Sequence, residues 1–369
     1  MTILQQFELW LTNYMPQWAA YLIPALVGII VMLVFILGMV IVFIYVERRL
    51  LGRFQIRLGP NRLGPEGIFQ PIATALKVLL KEDVCPTAAD KLIHWLAPVV
   101  VFIPILLVFA VVPFQDHALL ADLNVGVVYI LAISSISAVG IYMAGWGSNN
   151  KYSMISAFRT VGQMVSYELP VVLSILGIVL MAGSLSLNTI VEKQEIPYLL
   201  MQPLGFLIFF IGTLAEMNRS PFDLLEADSE IVAGYHTEYS GMKFAMFYLG
   251  EYGHSLVYAA IIAALYLSGW KGPLLWPWLW FIIKILAVFF VIVWIRATLP
   301  RFRVDQLMSF AWKGLLPMAI INLFIVAAEV LWLPASMPWL IVPVNFACGA
   351  IIIALWSRLF TLGGGRIGA

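Results

Sequence analysis

The stretch Ala19–Val46 reads AAYLIPALVGIIVMLVFILGMVIVFIYV and contains no charged residue. About 20 apolar residues are enough for a helix to cross the hydrocarbon core of a bilayer. The stretch therefore predicts a membrane-spanning helix that is long enough to tilt. It begins after Trp18 and is too long for the apolar core of a cleavable signal peptide, so we predict no signal peptide.

Similar apolar runs recur along the chain and predict an all-α, polytopic membrane protein with a single membrane domain over residues 1–369. The fifth run is short and ends in Glu216, which predicts a span that is strongly tilted or broken. The nine predicted spans are Ala19–Val46, Trp95–Val112, Val125–Gly145, Val165–Ala182, Gln202–Ala215, Met242–Leu267, Pro277–Ile295, Leu315–Leu333 and Pro338–Trp356.

The composition supports this fold class. The chain is 62% hydrophobic and 11% charged, with a mean hydropathy of +0.97, whereas soluble domains contain about 25% charged residues. A net charge of +1 argues against nucleic-acid binding. Cys85 and Cys348 are far apart and are predicted to be free thiols. The four histidines are isolated in the sequence, so no metal site is predicted.

The basic residues predict the orientation in the membrane. Of 21 Lys and Arg, all except Lys193, Lys271 and Lys284 fall in the loops after odd-numbered spans, in the C-terminal tail or, for Lys243, at the edge of such a loop. Lysine and arginine are enriched in cytoplasmic loops, so these loops are predicted to be cytoplasmic. The N-terminus is then outside and the C-terminus is cytoplasmic.

Carboxylates are concentrated in one part of the chain, around the predicted cytoplasmic loop at residues 216–241. Only Arg219 and Lys243 oppose them, and seven acids minus two bases leave a formal excess of five negative charges. Charges at membrane depth are costly and often functional, although a solvated loop remains the alternative. The seven acids are Glu216, Asp223, Glu226, Asp228, Glu230, Glu238 and Glu251.

The first cytoplasmic loop, residues 47–93, is the most basic part of the chain. Two Gly-Pro pairs, Gly59-Pro60 and Gly64-Pro65, predict a rigid irregular turn. The following segment, Gly67–Lys81, has an apolar and a polar face and predicts an interfacial amphipathic helix. Two interpretations stay open: an anchor for anionic lipid, or the rim of a pocket for a ligand that enters from the bilayer.

Several motifs occur along the chain in the order Glu47-Arg48-Arg49, Arg57 to Pro65, Lys81-Glu82-Asp83, Asn150 to Ser153, Ser166 to Pro170, Ala215 to Tyr239, and Arg301 to Leu307. Together they resemble the H-subunit family of proton-pumping NADH:quinone oxidoreductase, respiratory complex I, whose mitochondrial counterpart is NADH dehydrogenase subunit 1. The resemblance covers about residues 20 to 334, and the ninth span, residues 338–356, resembles an extension of some bacterial members.

The resemblance implies a membrane subunit that forms the membrane side of a quinone chamber, couples quinone reduction to proton translocation and docks the peripheral arm. Quinone is then a substrate, and no cofactor is bound covalently. Iron–sulfur clusters and FMN are expected only in partner subunits. The implied partners are other membrane-arm subunits, the quinone-site subunits of the peripheral arm and membrane lipid, in a bacterial plasma membrane.

The resemblance also implies roles for individual residues. Close carboxylates in a low dielectric cannot all ionise, so some of them can hold and pass protons. For Glu238, docking of a partner is the favoured role. The implied coupling carboxylates are Glu168, Glu216, Asp223, Glu226, Asp228, Glu230 and Glu251. The implied quinone-chamber residues are Glu47, Arg48, Arg57, Arg62, Thr74, Lys77, Arg296 and Arg301, with Arg303 also facing the peripheral arm. Cytoplasmic topology alone also accounts for arginine at these positions.

Some positions depart from the family or suggest further pairs. Thr74 replaces a usual aspartate, and Leu225 replaces a usual proline. Glu251 and His254 lie on one helical face and predict a polar pair on the proton route rather than a metal site. Lys284 and Glu329 are a candidate pair between the seventh and eighth spans, with snorkelling of either side chain as the alternative.

Three other functions remain to be distinguished. One is the equivalent membrane subunit of an energy-converting hydrogenase, which the first-loop motif and the stretch Tyr235 to Tyr239 disfavour. Another is an ion or proton transporter, but the acidic loop has no counterpart in the other half of the chain. The third is a passive scaffold, which leaves the intramembrane Glu168, Glu216 and Glu251 unexplained.

Overall fold

A computed structural model describes residues 10, 12–14, 16–116, 119–223, 233–332 and 338–363. The described residues form helices, turns and irregular segments, with no strand among them. The helices are α1 (Gln17–Phe54), α2 (Gln70–Leu79), α3 (Lys91–Phe109), α4 (Gly126–Gly147), α5 (Lys151–Ala182), α6 (Leu187–Lys193), α7 (Tyr198–Met201), α8 (Pro203–Glu216), α9 (Gly241–Tyr266), α10 (Pro277–Thr298), α11 (Val304–Ser309), α12 (Leu316–Trp332) and α13 (Pro338–Gly363).

Each predicted span coincides with a helix in the described part of the chain, and the all-α membrane fold is confirmed. Seven helical segments are long and apolar enough to cross a membrane: α1, α3, α4, α5, α10, the continuous segment Val304–Trp332, and residues 341–358 of α13. A π-helical turn, Phe310–Leu315, joins α11 to α12 within that continuous segment. The other two predicted spans, α8 and α9, differ from the seven for separate reasons.

The fifth predicted span is one short, continuous helix, and a break in the helical backbone lies at its start. Helix α7 ends at Met201, and α8 begins at Pro203. With a rise of 1.5 Å per residue, the 14 residues of α8 extend about 21 Å, less than the bilayer core of about 30 Å. At the break, the Gln202 side chain donates a hydrogen bond to the carbonyl of Gly177 on α5, at 3.1 Å. An amide side chain thus supports the irregular backbone.

Helix α9 is the centre of the bundle, which explains its more polar sequence. It packs against α1, α2, α3, α6, α7, α8 and α10. Every residue from Ser255 to Tyr266 is buried. A helix surrounded by protein does not need an apolar surface toward lipid, so it tolerates glutamate and histidine. Helix α4 packs between α3 and α5, and α5 packs in turn against α8 and α12.

The first loop has the predicted turn and amphipathic helix. Gly64 and Gly67 adopt left-handed φ values of +74° and +77°, which glycine adopts without steric cost. The helix that follows, α2, is shorter than predicted, at ten residues. Its apolar residues Ile72, Leu76 and Leu79 are exposed in the part of the chain that the structure describes. This exposed face is what an interfacial helix presents to lipid or to a partner.

Candidate functional site

Charged side chains from separate helices meet at the arginine-rich end of the bundle. Glu47 lies near the end of α1 and is only 2% exposed. Its carboxylate accepts hydrogen bonds from Arg219 at 3.2 Å and from Arg296 on α10. Two predicted chamber residues, Glu47 and Arg296, are therefore in direct contact.

Arg219 is the hub of this cluster and follows α8 in a turn. Its Nε lies 3.2 Å from Oε1 of Glu251 on α9, and its guanidinium stacks 4.4 Å from the Tyr252 ring centre. Burial opposes the charge of Arg219, but the carboxylates of Glu251 and Glu47 raise the pKa of its guanidinium above the ordinary value. One buried cation is thus shared by two carboxylates. We call the series Arg296, Glu47, Arg219 and Glu251 the charge ladder.

The turn that carries Arg219 is held by a side chain from α5. The Gln163 amide donates to the carbonyl of Ala215 at 2.7 Å and to that of Phe222 at 2.9 Å. These carbonyls lie on either side of Arg219 in the chain. Because Gln163 is fully buried, its hydrogen bonds are protected from water and fix the turn against α5.

Glu216 and Glu168 are two further predicted coupling carboxylates, on α8 and α5. Glu216, the last residue of α8, is 7% exposed and accepts a hydrogen bond from the Tyr258 hydroxyl of α9. Glu168 on α5 is half-buried and interacts electrostatically with Glu216. Two of the predicted coupling carboxylates are therefore neighbours in space, although they are 48 residues apart by their numbers, 216 minus 168.

A cavity of about 40 Å³ joins several of these groups, and we call it the polar cavity because carboxylates and imidazoles contribute to its otherwise largely apolar wall. One water needs roughly 10–15 Å³ of such space, so the cavity has room for a few water molecules. Carboxylates and imidazoles around shared water can exchange protons without direct contact. Its polar lining includes Glu216, Asn218, Asp223, His236, Glu251 and His254.

The other predicted coupling carboxylates have different surroundings. Asp223 is buried and pairs with half-exposed Arg301 at 3.0 Å. Glu238, the predicted docking residue, accepts a hydrogen bond from Asn150 at 2.6 Å. Glu226, Asp228 and Glu230 lie outside the described residues, as does Leu225.

The remaining chamber candidates are spread over the surface of the first loop. Arg57 is exposed and donates to the Gln55 side chain at 2.7 Å, while Thr74 donates to the Gln70 carbonyl of its own helix at 2.9 Å. Arg48 is half-buried, and Arg62 and Lys77 are exposed. Within the described ranges, no ion pair joins these residues to the charge ladder.

The predicted pair of Lys284 and Glu329 is wrong. The Lys284 ammonium donates instead to three backbone carbonyls, including that of Leu267 at 2.6 Å. Glu329 accepts a hydrogen bond from Asn345 of α13 at 2.8 Å. Carbonyl groups at a helix end have no partner within the helix and attract a lysine. Hydropathy does not reveal that they compete with Glu329 for Lys284.

Glu251 and His254 both line the polar cavity, but they have different partners. Glu251 faces Arg219, as described above. The Nδ1 atom of His254 lies 2.7 Å from the carbonyl oxygen of Gly250 on its own helix. A common helical face therefore places both residues at the cavity without determining how each is hydrogen-bonded.

Sequence reasoning missed Gln163, Tyr258 and the central position of Arg219. The spacing of Glu251 and Tyr258, seven residues apart, places both on one face of α9 and was an available signal. Arg219 is one of two cations among these acids, but its contact with carboxylates from two helices follows only from the packing. Nothing in the sequence near Gln163 indicates that it supports a turn 52 residues away.

Comparison with known proteins identifies the family. Residues 27–327 match the NADH dehydrogenase family. The chain is 55% identical over 345 residues to the H subunit of the NADH-quinone oxidoreductase of Dehalococcoides mccartyi strain CBDB1, covering 94% of this chain and 98% of the relative. It is 48% identical over 307 residues to the corresponding H subunit of Bacillus thuringiensis strain Al Hakam, covering 81% and 92%. The chain therefore belongs to the NADH dehydrogenase family, together with these two H subunits.

Proposed function

We propose that this protein is the membrane subunit of a proton-pumping NADH:quinone oxidoreductase that adjoins the quinone. It forms the membrane side of the quinone chamber, docks the peripheral arm and couples quinone reduction to proton translocation. The near-complete coverage of the H subunits of this enzyme supports the assignment and favours it over a hydrogenase subunit or a transporter.

The observation that carries the coupling mechanism is the charge ladder. Its charges alternate in sign and are mostly buried: Arg219 and Glu47 side chains are each 3% exposed, and Arg296 is 25% exposed. In a partly buried site, charges a few ångströms apart interact much more strongly than in water. A change of charge or protonation at one end of the charge ladder therefore changes the electrostatic potential at the other end.

Reduced quinone supplies that change. A negative charge near Arg296 competes with Glu47 for the arginine, and Glu47 then turns more strongly to Arg219. As Arg219 is drawn toward Glu47, Glu251 loses part of its counter-charge and gains affinity for a proton. The quinone thereby biases which carboxylates around the polar cavity are protonated.

The carboxylates beyond the ladder continue the route. We assign proton transfer to Glu168, Glu216, Asp223 and Glu251, and extend it to Glu226, Asp228 and Glu230. Contact between the Tyr258 hydroxyl and Glu216 supports this assignment, because a hydrogen-bonded hydroxyl can pass a proton on. Glu238, which is held by Asn150, is assigned to docking.

The chamber wall is assigned to residues of the first loop, of the end of α10 and of the segment that follows it. The exposed apolar face of α2 supports entry of quinone from the bilayer. Electrons reach the quinone from flavin and iron–sulfur clusters in partner subunits. The assigned chamber residues are Glu47, Arg48, Arg57, Arg62, Thr74, Lys77, Arg296 and Arg301.

The arginine-rich end faces the cytoplasm in this proposal, with the N-terminus outside and the C-terminus inside a bacterial plasma membrane. The distribution of Lys and Arg supports this orientation. The partners are the adjoining membrane-arm subunits and the quinone-site subunits of the peripheral arm, which meet the basic loops.

Membranes carrying Glu216→Gln test the proposal. Two activities are measured: reduction of quinone by NADH, with its proton pumping, and reduction of an artificial acceptor that bypasses quinone. We expect the artificial reaction and assembly to persist, while quinone reduction or its pumping falls by at least about tenfold.

The matched control is Glu66→Gln, because Glu66 is an exposed glutamate on the first loop. It should leave both activities unchanged. If Glu216→Gln also leaves quinone reduction and pumping unchanged, the acidic cluster is a docking surface and the coupling role is wrong.

A further inference from the structure

Three lysines at the end of the bundle opposite the arginine-rich loops bind helix-end carbonyls. Lys193 donates to the Ala182 carbonyl at 2.7 Å, and Lys271 donates to the carbonyls of Glu192 and Gln194 at 2.6 and 3.0 Å. Lys284 donates to three carbonyls in the segment that follows α9. The partial negative charge of helix C-termini accounts for lysine here, against the general charge distribution of the chain.

Two of these lysines also line a cavity of about 490 Å³. Lys271 and Lys284 form part of its wall, with exposed Glu195 as the carboxylate among its lining residues. Two positive charges minus one negative leave the cavity with a formal charge of +1. In the part of the chain that the structure describes, neither lysine forms an ion pair. The cavity is therefore electrostatically suited to an anion.

Two hydrogen-bond donors remain available in the same wall. An ammonium group has three N–H donors, and the two carbonyls named above take two from Lys271 among the described residues. Ser268 also lines the cavity; it is 6% exposed, and its hydroxyl has no partner among the described residues. Buried polar groups ordinarily have partners, so the Ser268 hydroxyl points to a polar ligand.

The other part of the wall is apolar. Leu199, Leu200 and Trp280 line it, and Leu200 is 36% exposed. Trp280 lies in the first turns of α10, a predicted membrane span, near Trp276 and Trp278. Tryptophans at a span end mark the membrane–water interface. The cavity thus combines an anion site with an apolar surface at interface depth.

We propose that this cavity binds a membrane phospholipid with an anionic headgroup. Its phosphate accepts hydrogen bonds from Lys271 and Ser268, and an acyl chain lies along Leu200 and Trp280. Free phosphate would use only the polar half of the wall. The site is independent of the proposed coupling mechanism, because the end of α9 lies about 22 Å from Glu251 at 1.5 Å per residue.

Photo-crosslinking of the assembled complex in its membrane tests this proposal. The probe is phosphatidylglycerol with a diazirine in one acyl chain, and phosphatidylcholine with the same group is the comparison. We expect phosphatidylglycerol to label residues 194–200 and 267–284. Lys271→Gln should reduce this labelling by about tenfold, the effect of losing one charge-assisted hydrogen bond.

Two further variants separate a specific loss of lipid binding from a general disruption of the fold. Leu200→Trp obstructs the apolar wall but keeps every lysine contact, and it should reduce labelling as well. Lys193→Gln removes a lysine that binds a helix-end carbonyl outside the cavity lining, and it should leave labelling unchanged.

Several outcomes would overturn the proposal. Equal labelling by phosphatidylcholine would show that the cavity does not select an anionic headgroup. Unchanged labelling in Lys271→Gln would show that Lys271 does not bind the phosphate. Loss of labelling on addition of inorganic phosphate alone would indicate a free-anion site. Crosslinks from these segments to a neighbouring subunit in place of lipid would identify a protein interface.

Discussion

Arg219 Nη1 lies 3.2 Å from Glu47 Oε1, although 172 residues separate them in the chain. Both side chains are 3% exposed. The ion pair therefore joins the end of the first helix to the turn after α8 at a point closed to solvent. Removing one partner of a buried pair leaves the other charge uncompensated, which is far more damaging than losing a surface pair.

Arg219→Gln should abolish most quinone reduction. It leaves Glu47 and Glu251 without their shared cation, and breaking a buried pair costs about 3–5 kcal/mol. Arg219→Lys keeps the charge but lacks the planar guanidinium that contacts both carboxylates. It should therefore have an intermediate effect. Quinone reductase activity and native-gel assembly are the measurements. Exposed Arg53→Gln is the control, and an unimpaired Arg219→Gln enzyme would refute the ladder.

Glu47→Gln and Glu66→Gln form a matched comparison, since both glutamates bind an arginine. Glu47 is buried between two arginines, whereas the Glu66 side chain is 71% exposed beside Arg49. A surface pair contributes about 0–1 kcal/mol. We expect Glu47→Gln to lower quinone reduction severalfold and Glu66→Gln to have little effect. Equal effects in steady-state kinetics would contradict a special role for the buried pair.

Tyr258→Phe should weaken proton translocation more than electron transfer. It removes the hydroxyl that donates to Glu216, and a hydrogen bond to a charged group contributes about 1.5–3 kcal/mol. The ratio of protons pumped to NADH oxidised, measured in inverted membrane vesicles, should fall. Tyr21→Phe on the exposed part of α1 is the control. An unchanged ratio would exclude Tyr258 from the route.

Gly67→Ala should disrupt the first loop, while Gly38→Ala should be tolerated. A Cβ at Gly67 would lie 2.0 Å from the Pro60 carbonyl oxygen in a left-handed backbone, whereas a Cβ at Gly38 meets no atom within 4 Å. The strained conformation alone costs about 1–3 kcal/mol. Limited proteolysis of the first loop and the Michaelis constant for quinone are the measurements. Equal proteolysis of both variants would show that the turn is not rigid.

Asn345→Leu should loosen the ninth span. Asn345 donates to Glu329 at 2.8 Å and to the Met201 carbonyl at 2.6 Å, and leaving buried acceptors without a donor costs about 1–3 kcal/mol each. Half-buried Cys348 on the same helix reports the change. Maleimide labelling of Cys348, in a Cys85→Ser background, should accelerate. Exposed Ser357→Ala should not change the rate, and slower or equal labelling of Asn345→Leu would disprove this anchoring role.

The helices were predictable because a membrane span requires a local run of about 20 apolar residues. All nine predicted runs coincide with helices, whereas the break at Gln202 lies at the start of the fifth run and its position was not predicted. The ends were less certain: α1 continues to Phe54 and α5 begins at Lys151. Both extensions are polar sequence outside the apolar window, where hydropathy carries no signal but backbone hydrogen bonds continue.

The site was only half predictable, because pairing depends on contacts between distant segments. The carboxylates at Glu216 and Glu251 were conspicuous as charges inside apolar runs. Their partners, Tyr258 and Arg219, were not, since many hydroxyls and cations occur in the chain. The mistaken pair of Lys284 and Glu329 shows the same limit. Opposite charges on adjacent spans suggested a contact, but backbone carbonyls and Asn345 were closer.

The length of α1 gives the buried ion pair a mechanical setting. Its 38 residues extend about 57 Å, almost twice the thickness of a bilayer core. For a helix of that length, a tilt of about 10° about one end displaces the other end by about 10 Å. Glu47 lies near that end, and its ion pair with Arg219 opposes such a tilt. Because a membrane span adjusts its tilt to the thickness of the bilayer, we expect a change in that thickness to act on this ion pair.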